Sequence, residues 1–310
     1  MIHIIANPLA GGGKAVAAAS GLARALADAG ISCHVHVPGT REETINAART
    51  HAPRGIVVAC GGDGTVHDCL QGVMTSDATD KQMAIWPVGT GNDIVRGLGL
   101  DTAGTEELHG AFIDAVLEKT TPPTDVGTIS IFDDGTNQST DQPTTHYFLG
   151  VLSCGFDSDV NERANNMPAK VGRARYLLGL ARELPIVRPR WYAIDSDGED
   201  KSMAAMIVAI GNGPAYGSGM MICPDADMSD GQLDITVVTN APKHTFVSVL
   251  PKVYSGKHVE HPSVVSWRAK RLRIDAPDSL VFADGERIGP LPATIEVMPS
   301  ALQVLTWQRT

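Results

Sequence analysis

The amino-acid sequence predicts an N-terminal α/β domain with a parallel sheet, followed by a second, largely antiparallel β domain. Two observations support this prediction. Before Thr121, short apolar runs alternate with helix-like stretches, and three of these runs end in a glycine-rich loop. After Thr121-Pro122-Pro123 the pattern changes to strands and turns, which is typical of antiparallel sheets.

The composition is that of a folded protein, with 43% hydrophobic and 19% charged residues among 310. The net charge of −10 gives no global positive field, which argues against nucleic acid as the main partner. Five cysteines without paired spacing fit a reducing compartment. Because Met1–Ala6 lacks the basic start of a signal peptide, and Met203–Ile210 is too short to span a bilayer, we expect a cytoplasmic protein.

In the first domain, β-branched apolar runs predict four strands and the stretches between them predict helices. The strands are Ile2–Ala6, Ile31–Val37, Gly55–Ala59 and Met83–Val88. The helices are an Ala-rich stretch to about Ala29, then Arg41–Arg49, Val66–Met74 and Thr105–Lys119. In a parallel sheet, the loops that follow the strands all emerge at the carboxyl edge, where ligands bind.

In the second domain, the same reasoning predicts seven strands and two helices. The strands are Asp125–Phe132, Tyr147–Cys154, Trp191–Ser196, Ala204–Ile210, Leu233–Val238, Val264–Ile274 and Leu280–Ala283. The helical stretches are Ser158–Asn166 and Arg173–Leu184. The polar segment Asp133–Thr145 is predicted to form a hairpin tip.

The chain is organised around the glycine loop Cys60–Thr65, which lies between a buried strand and a helix. Glycines allow close backbone approach, and consecutive N–H groups at a helix N-terminus attract anions. A carboxylate inside such a loop, Asp63, is unfavourable unless a cation or a transferable proton lies between it and the anion. The loop therefore suggests a metal–nucleotide site, with a plain strand-to-helix turn as the alternative.

Two further glycine loops, Asn7–Lys14 and Gly89–Arg96, follow the first and fourth strands. The first of them matches neither a Walker A nor a Rossmann fingerprint. Asn92 and Asp93 could simply cap the next helix. Three such loops at one sheet edge nevertheless favour a shared ligand site.

His34 and His36 lie on one face of the second strand and could mimic a metal-binding pair. Because the sequence shows no third ligand nearby, we expect solvated surface histidines instead.

Together these motifs resemble the diacylglycerol kinase catalytic domain superfamily, which includes bacterial diacylglycerol kinase-like lipid kinases, sphingosine kinases and ceramide kinases. The resemblance covers nearly the whole chain in the family's order. The motifs are Asn7-Pro8 with Gly11 and Gly13, Gly61–Thr65, Pro87–Asp93, Gly155–Asp157, Gly211-Asn212 with Gly217–Gly219, Pro224–Gly231 and Asp284–Glu286. The element Gly61–Thr65 alone is shared with NAD kinases.

The resemblance implies an ATP-binding α/β domain over 1–123, to which a C-terminal segment 297–310 returns. It also implies a β-sandwich lipid-substrate domain over 124–296, and it fits Thr294–Trp307 as a last pair of strands. By the same resemblance, Asp63 would hold Mg²⁺–ATP. The residues implied in nucleotide binding are Asn7, Gly11, Gly13, Thr40, Gly61, Gly62, Asp63, Gly64, Thr65, Thr90 and Asn92.

An alcohol acceptor needs a carboxylate to take its proton. Glu286 matches the general base proposed for the family, and the alternative is an exposed turn glutamate. The resemblance further implies a structural Mg²⁺ held by the Asp230 carboxylate and by the carbonyls of Asp227 and Gln232. A plain Asp-Gly turn is the alternative there.

We therefore predict an ATP- and Mg²⁺-dependent lipid kinase of phospholipid metabolism that acts on a diacylglycerol-like or sphingoid lipid. One apolar stretch is flanked by three arginines, Arg173, Arg175 and Arg182. This arrangement suits docking on anionic lipid at the inner membrane face. A core helix with a solvated basic face would explain the three arginines equally well. A homodimer is suggested only by analogy with relatives. The alternatives are an NAD kinase-like small-molecule kinase and a catalytically idle lipid- or nucleotide-binding protein.

Overall fold

The computed structural model describes residues 1–100, 108–131, 143–165, 167, 174–240, 242, 245 and 248–307. The predicted hairpin tip Asp133–Thr145 lies outside the described residues, except for its last three positions, 143–145. Arg173 also lies outside them, as does the side chain of Arg175. No helix in the described part of the chain is long and apolar enough to cross a membrane.

The first part of the chain is a parallel sheet in the order β2–β1–β3–β4. Its strands are β1 (Ile2–Ala6), β2 (Cys33–His36), β3 (Ile56–Gly61) and β4 (Gln82–Pro87). The three strands β1, β3 and β4 are almost entirely buried, which explains their continuous apolar sequences.

Five helices accompany these strands in the described residues, and α2 packs on α3 while α1 packs on α5. They are α1 (Ala15–Asp28), α2 (Arg41–His51), α3 (Asp63–Met74), α4 (Asp93–Gly97) and α5 (Leu108–Glu118). A Cβ on Gly72 of α3 would lie 2.3 Å from the carbonyl oxygen of Ile45 in α2, so glycine is what permits this close helix packing.

The second part is a set of antiparallel strands with two helices, α6 (Phe156–Asn165) and α7 (Ala174–Glu183). The strands are β5 (Pro123–Ile131), β6 (Thr144–Phe148), β7 (Val151–Gly155), β8 (Arg190–Ser196), β9 (Glu199–Asp200), β10 (Met203–Gly211), β11 (Leu233–Thr239), β12 (Val264–Ala269), β13 (Arg271–Asp275), β14 (Leu280–Ala283), β15 (Glu286–Pro290) and β16 (Ala293–Val304). One group runs β15–β14–β7–β10–β11–β12, and a second runs β8–β13–β16–β5–β6, joined to the first by the pairing of β8 with β10. The predicted fold class is therefore confirmed.

The last strand joins the two parts. β16 pairs antiparallel with β5 and β13, and its end at Gln303–Val304 then pairs parallel with Gln82–Met83 of β4. The sequence analysis expected a pair of strands here, which is wrong: β16 is one strand whose register shifts between Met298 and Leu302. The domain boundaries at 123 and 297 stay predictions.

Two predicted strands are each divided by the carboxylate of a distant residue. The stretch Tyr147–Cys154 breaks after β6 because the N–H groups of Leu149 and Gly150 donate to Asp284. The stretch Val264–Ile274 breaks at Lys270, whose N–H donates to Asp197. Such breaks depend on partners far away in the chain, so apolar periodicity alone does not reveal them.

Candidate active site

The loops after β1, β3 and β4 lie against one another at the carboxyl edge of the parallel sheet. The carbonyl of Gly61 accepts hydrogen bonds from the N–H groups of Val88 and Gly89, at 2.8 and 3.2 Å. Gly11 has a φ of +59°, and a Cβ there would lie 2.5 Å from the Val88 carbonyl oxygen. Glycine is therefore required at Gly11 both by its backbone conformation and by the contact with the neighbouring loop.

A cavity of about 490 Å³ opens beside these loops. It is lined by Asn7, Leu9, Ala10, Gly11, Gly12, Gly62, Asp63, Gly64, Thr65, Asp68, Gly89, Thr90, Gly91 and Glu286. Eight residues predicted from sequence are among them, from all three loops and from the distant Glu286. The predicted residues Gly13, Thr40, Gly61 and Asn92 do not line this cavity.

Asp63 is the first residue of α3 rather than a member of a loop that precedes it, with Gly62 at the N-cap position. Burial, reinforced by the neighbouring carboxylate of Asp93, raises the pKa of Asp63 to about 6. A carboxylate held among other acids is stabilised by any cation that binds beside it. This is the behaviour expected of a residue that holds a metal ion.

Asp93 ties the third glycine loop to the second part of the chain. Its carboxylate accepts hydrogen bonds from the N–H groups of Ser218 and Gly219, each at 2.7 Å, and pairs with Arg96 at 2.9 Å. Sequence reasoning treated Asp93 as a possible helix cap and did not place it in the site. Its position in the motif Gly89–Asp93 was the available signal.

Asn92, beside it, has a φ of 53° and occupies the N-cap position of α4 without forming a side-chain cap. Its Nδ2 instead donates to the carbonyl of Gly89 at 3.0 Å. Its Oδ1 is buried and has no hydrogen-bond partner within the described chain. Asn92 therefore fixes the loop from inside, and it lines neither cavity of the site.

Asp284 is a fully buried carboxylate that sequence reasoning also did not place in the site. Its two oxygens accept from the N–H groups of Leu149 and Gly150, and Oδ2 lies 3.3 Å from Nδ1 of His67 in α3. Asp284 and Gly285 both have positive φ, as a two-residue hairpin loop of the I′ type requires. This turn places Glu286 at the start of β15, a strand that the sequence analysis missed.

Glu286 is held at the mouth of the cavity by an arginine from the first part of the chain. Its Oε2 lies 3.1 Å from Nη1 of Arg41, and Nε of the same arginine lies 2.7 Å from Oδ1 of Asp68. Burial raises the pKa of Asp68, and the Arg41 guanidinium opposes that rise. One cation therefore compensates two carboxylates that line the same cavity.

A second cavity of about 300 Å³ lies between the loop after β4 and the antiparallel strands. It is lined by Asp63, Thr90, Gly91, Asp93, Ile94, Gly150, Val151, Ser153, Asn161, Ala215, Tyr216, Gly217, Ser218, Phe282, Asp284 and Gly285. The two cavities share Asp63, Thr90 and Gly91. The two cavities therefore adjoin each other at these residues.

Comparison with known proteins places this arrangement in a family. A model of the diacylglycerol kinase catalytic domain matches residues 1–129, and the YegS C-terminal NAD kinase beta sandwich-like domain matches residues 150–306. The chain is 36% identical over 307 residues to the diacylglycerol kinase of Mycobacterium tuberculosis (strain ATCC 25618 / H37Rv), covering 98% of this chain and 94% of the relative. The chain belongs to the diacylglycerol kinase-like lipid kinase superfamily.

A more distant relative agrees with this lipid kinase assignment, and a solved structure shares the fold. The diacylglycerol kinase of Bacillus subtilis (strain 168) is 25% identical over 271 residues, 85% of this chain and 82% of that protein. A crystal structure of a diacylglycerol kinase from Bacillus anthracis str. Sterne shares the fold, with a TM-score of 0.69 at 22% identity over 98% of this chain and 96% of that one.

Two other predictions for this lipid kinase concern residues outside both cavities. The Thr40 hydroxyl caps α2 by accepting from the N–H of Glu43 at 3.2 Å. In the Asp-Gly loop, the Asp230 carboxylate accepts from the N–H of Gln232 and pairs with Arg268 at 3.5 Å, while the Asp227 carboxylate accepts from Ser229. These contacts give each side chain a structural role, and the nucleotide role of Thr40 and the metal site stay predictions.

Proposed function

We propose that this lipid kinase transfers the γ-phosphate of ATP to a hydroxyl group of a diacylglycerol-like or sphingoid lipid. The observation that carries the proposal is the meeting of the two cavities at Asp63, Thr90 and Gly91. A phosphate donor in the glycine-loop cavity and an acceptor in the neighbouring cavity would come together at this junction. Such positioning supplies much of the catalysis in phosphoryl transfer.

The first cavity suits a polyphosphate. Gly11, Gly62 and Gly64 let the backbone approach the ligand closely, and the N-terminus of α3 contributes a positive dipole. Mg²⁺ bound with the nucleotide would neutralise charge on the phosphates. Asp63 is the residue best suited to hold the ion, because its raised pKa reflects a buried carboxylate that lacks a compensating cation.

Glu286 suits the role of general base. Its side chain reaches the glycine-loop cavity and lies beside Gly64, where a Cβ would be 3.0 Å from Oε1. In the proposed step, the Glu286 carboxylate takes the hydroxyl proton of the acceptor. The hydroxyl oxygen forms a bond to the γ-phosphorus as the bond to the ADP leaving oxygen breaks.

The second cavity suits the polar head of a lipid rather than its chains. Its volume of about 300 Å³ lies at the lower end of ligand pockets, and its walls combine acids and hydroxyls with apolar side chains such as Val151 and Phe282. The acyl chains would extend away from it toward a membrane surface.

The experiment is transfer of radiolabelled phosphate from ATP, with Mg²⁺, to a panel of acceptors in mixed micelles. The panel holds diacylglycerol, monoacylglycerol, sphingosine, ceramide and phosphatidylglycerol, with NAD as the soluble acceptor for the rival small-molecule kinase. We expect one lipid to be labelled, and Glu286→Gln to lower the rate by about 10²–10⁴-fold while ATP still binds. The matched control is Glu296→Gln, which removes an exposed glutamate paired with Arg271 and should leave the rate unchanged.

Two outcomes would contradict the proposal. Specific labelling of NAD would favour the NAD kinase-like alternative. Binding of ATP and lipid without any labelled product, in wild type and variants alike, would favour a catalytically idle binding protein.

A further inference from the structure

Four histidines lie together on the face of the parallel sheet that α2 covers. His3 is on β1, and the register of β1 with β2 places His34 directly beside it and His36 beside Ile5. The fourth is His51, the last residue of α2, which follows the buried residues Thr44 and Ala48 at helical spacing. The sequence analysis saw no third ligand near His34 and His36 and expected solvated surface histidines. His34 is indeed exposed, but the premise is wrong, because β1 and α2 bring two more histidines.

Three of these histidines have the spacing of metal ligands. Ligand nitrogens of His3, His36 and His51 all lie within 4.8 Å of one another, and Nδ1 of His3 is 3.3 Å from Nε2 of His36. Nitrogens bound to one tetrahedral Zn²⁺ at about 2.1 Å stand roughly 3.4 Å apart. The rings are stacked, with centroids 4.5 Å apart for His3 and His51 and 4.1 Å for His36 and His51, so ligation would require ring rotation.

The cluster also contains polar atoms that nothing in the described chain satisfies. His3 is only 3% exposed, and its Nε2 has no hydrogen-bond partner in the described chain. The buried Nδ1 of His51 also has no partner in the described chain. Leaving such groups unpaired inside a protein is unfavourable, and an ion bound through Nε2 of His3 and Nδ1 of His51 would satisfy both, leaving the Nδ1 contact of His3 with His36 to a ring rotation.

We propose that His3, His36 and His51 form a binding site for a divalent transition metal ion, with Zn²⁺ as the expected occupant. Three neutral imidazoles suit Zn²⁺ rather than Mg²⁺ or Ca²⁺, which prefer oxygen ligands. Because His36 and His51 are only partly buried, water can fill the fourth position. The positive charge of Arg54 acts on His51, so the affinity should be lower than in closed structural zinc sites.

This site is distinct from the glycine-loop cavity. His51 ends α2, whereas Arg41 at the other end of the same helix contacts Glu286 and Asp68. A metal ion held by the three histidines would fasten α2 to β1 and β2. Metal binding should therefore stabilise the fold without needing nucleotide or lipid.

The experiment measures Zn²⁺ and Co²⁺ binding to the tag-free, chelator-treated full chain. We expect one Zn²⁺ per chain in competition with a chromophoric chelator, and the intense visible absorption of four-coordinate Co²⁺. His36→Asn and His51→Asn should each weaken binding by at least about 100-fold, since loss of even an outer-shell partner costs 10–100-fold. The matched control is His34→Asn, an exposed histidine outside the set of three, which should bind as wild type does.

Thermal unfolding with and without Zn²⁺ provides a second readout, because an ion that binds only the native state raises the Tm. We expect this shift in wild type, in His34→Asn and in Glu286→Gln, and not in His51→Asn. Unchanged metal binding in His36→Asn and His51→Asn would overturn the proposal. An equal loss of metal binding in His34→Asn would also overturn it. So would the absorption spectrum of octahedral Co²⁺, which indicates oxygen ligands. None of these results depends on kinase activity, so they test the site separately from the proposed function.

Discussion

Arg41 Nη1 lies 3.1 Å from Glu286 Oε2, although the two residues are separated by 245 positions in the chain. The same guanidinium contacts Asp68 in α3 at 2.7 Å. Arg41 therefore links the first turn of α2 to the hairpin that presents Glu286 and to the wall of the glycine-loop cavity. It is a positioning residue for Glu286, and its role is separable from folding because its side chain is 47% exposed.

We predict that Arg41→Gln lowers kcat by about 10–100-fold, because a base displaced by about 1 Å can cost 10²-fold in rate. The free energy of unfolding should fall by about 1–2 kcal/mol, because the pair with Glu286 is partly exposed and contributes little, whereas the pair with Asp68, whose side chain is 13% exposed, contributes more. Steady-state kinetics should show the loss in kcat more than in the KM for ATP, and Arg41→Lys should restore it only in part. The control is Arg271→Gln, which breaks the exposed pair with Glu296. A kcat equal to that of wild type would rule out the positioning role.

Gly64 offers a test of whether Glu286 has to stay where it is. The residue is the second of α3 and its φ is not positive, so Gly64→Ala should stabilise the helix by up to about 1 kcal/mol. The new Cβ would, however, stand 3.0 Å from Glu286 Oε1 and push the carboxylate away. We therefore predict a stability equal to or above that of wild type, with activity reduced about tenfold or more. A loss in kcat would report the displaced Glu286, whereas a rise in the KM for ATP would mean that the new Cβ blocks the phosphates instead.

Gly110→Ala in α5 is the matched control for this variant, because a Cβ there meets no atom within 4 Å. It should give the gain in stability without the loss of activity. Urea unfolding and phosphate transfer, measured on both variants, check the pair. Full activity in Gly64→Ala would show that Glu286 can move without consequence.

Asp63 should destabilise the ligand-free protein at neutral pH. Its folded-state pKa of about 6 lies above the usual 3.8, so the native state binds a proton more tightly than the unfolded chain. The free energy of unfolding therefore falls as the pH rises from about 4 to about 6. At higher pH it stays lower by the same amount. By linkage this decrease amounts to up to about 3 kcal/mol.

We predict that Asp63→Asn is more stable than wild type at pH 7.5 by this amount and equal to it at pH 4, while phosphate transfer is lost. Urea unfolding without nucleotide or metal, at several pH values across this window, measures the difference. The exposed Asp80→Asn should show no such gain. A pH-independent difference would mean that a contact of Asp63, rather than its charge, sets the stability.

Sequence reasoning succeeded where the signal was local. The strand–glycine–helix order at Gly61–Thr65 is such a local signal, and the parallel order of strands brings its loop together with the other two. Glu286 was singled out only by the family resemblance of the Asp284-Gly285-Glu286 motif, because its spacing alone equally describes an exposed turn. Sequence reasoning missed Arg41, and it missed the break at Leu149 in the predicted strand Tyr147–Cys154. Both depend on partners brought near only by folding, Glu286 for the arginine and Asp284 for the break.

The histidine cluster shows the same limit. His34 and His36 were visible as neighbours on one strand, but the side chains that complete the group come from another strand and from the end of a helix. Periodicity gives the face on which a residue lies, not the element that covers that face.

Asp125, at the start of β5, provides a test of how the last strand is fastened to the second part of the chain. The carboxylate is 1% exposed and accepts two backbone hydrogen bonds, Oδ1 from the N–H of Ser300 at 2.7 Å and Oδ2 from the N–H of Gly231 at 2.6 Å. Ser300 lies where β16 shifts register, and Gly231 lies in the Asp-Gly loop. One side chain therefore joins three segments that are far apart in sequence.

We predict that Asp125→Asn destabilises the protein by about 2–3 kcal/mol although the two side chains have the same shape. An amide offers one acceptor oxygen and one donor group, so one backbone N–H would face another donor and lose its partner in a buried site. Urea unfolding at pH 7.5 measures the loss, and the exposed Asp195→Asn, whose carboxylate accepts from the N–H of Gly198, is the control. If Asp125→Asn were as stable as wild type, one of the two bonds would contribute nothing, and the register shift of β16 would have to be maintained by the pairing of β16 with β5 and β13 alone.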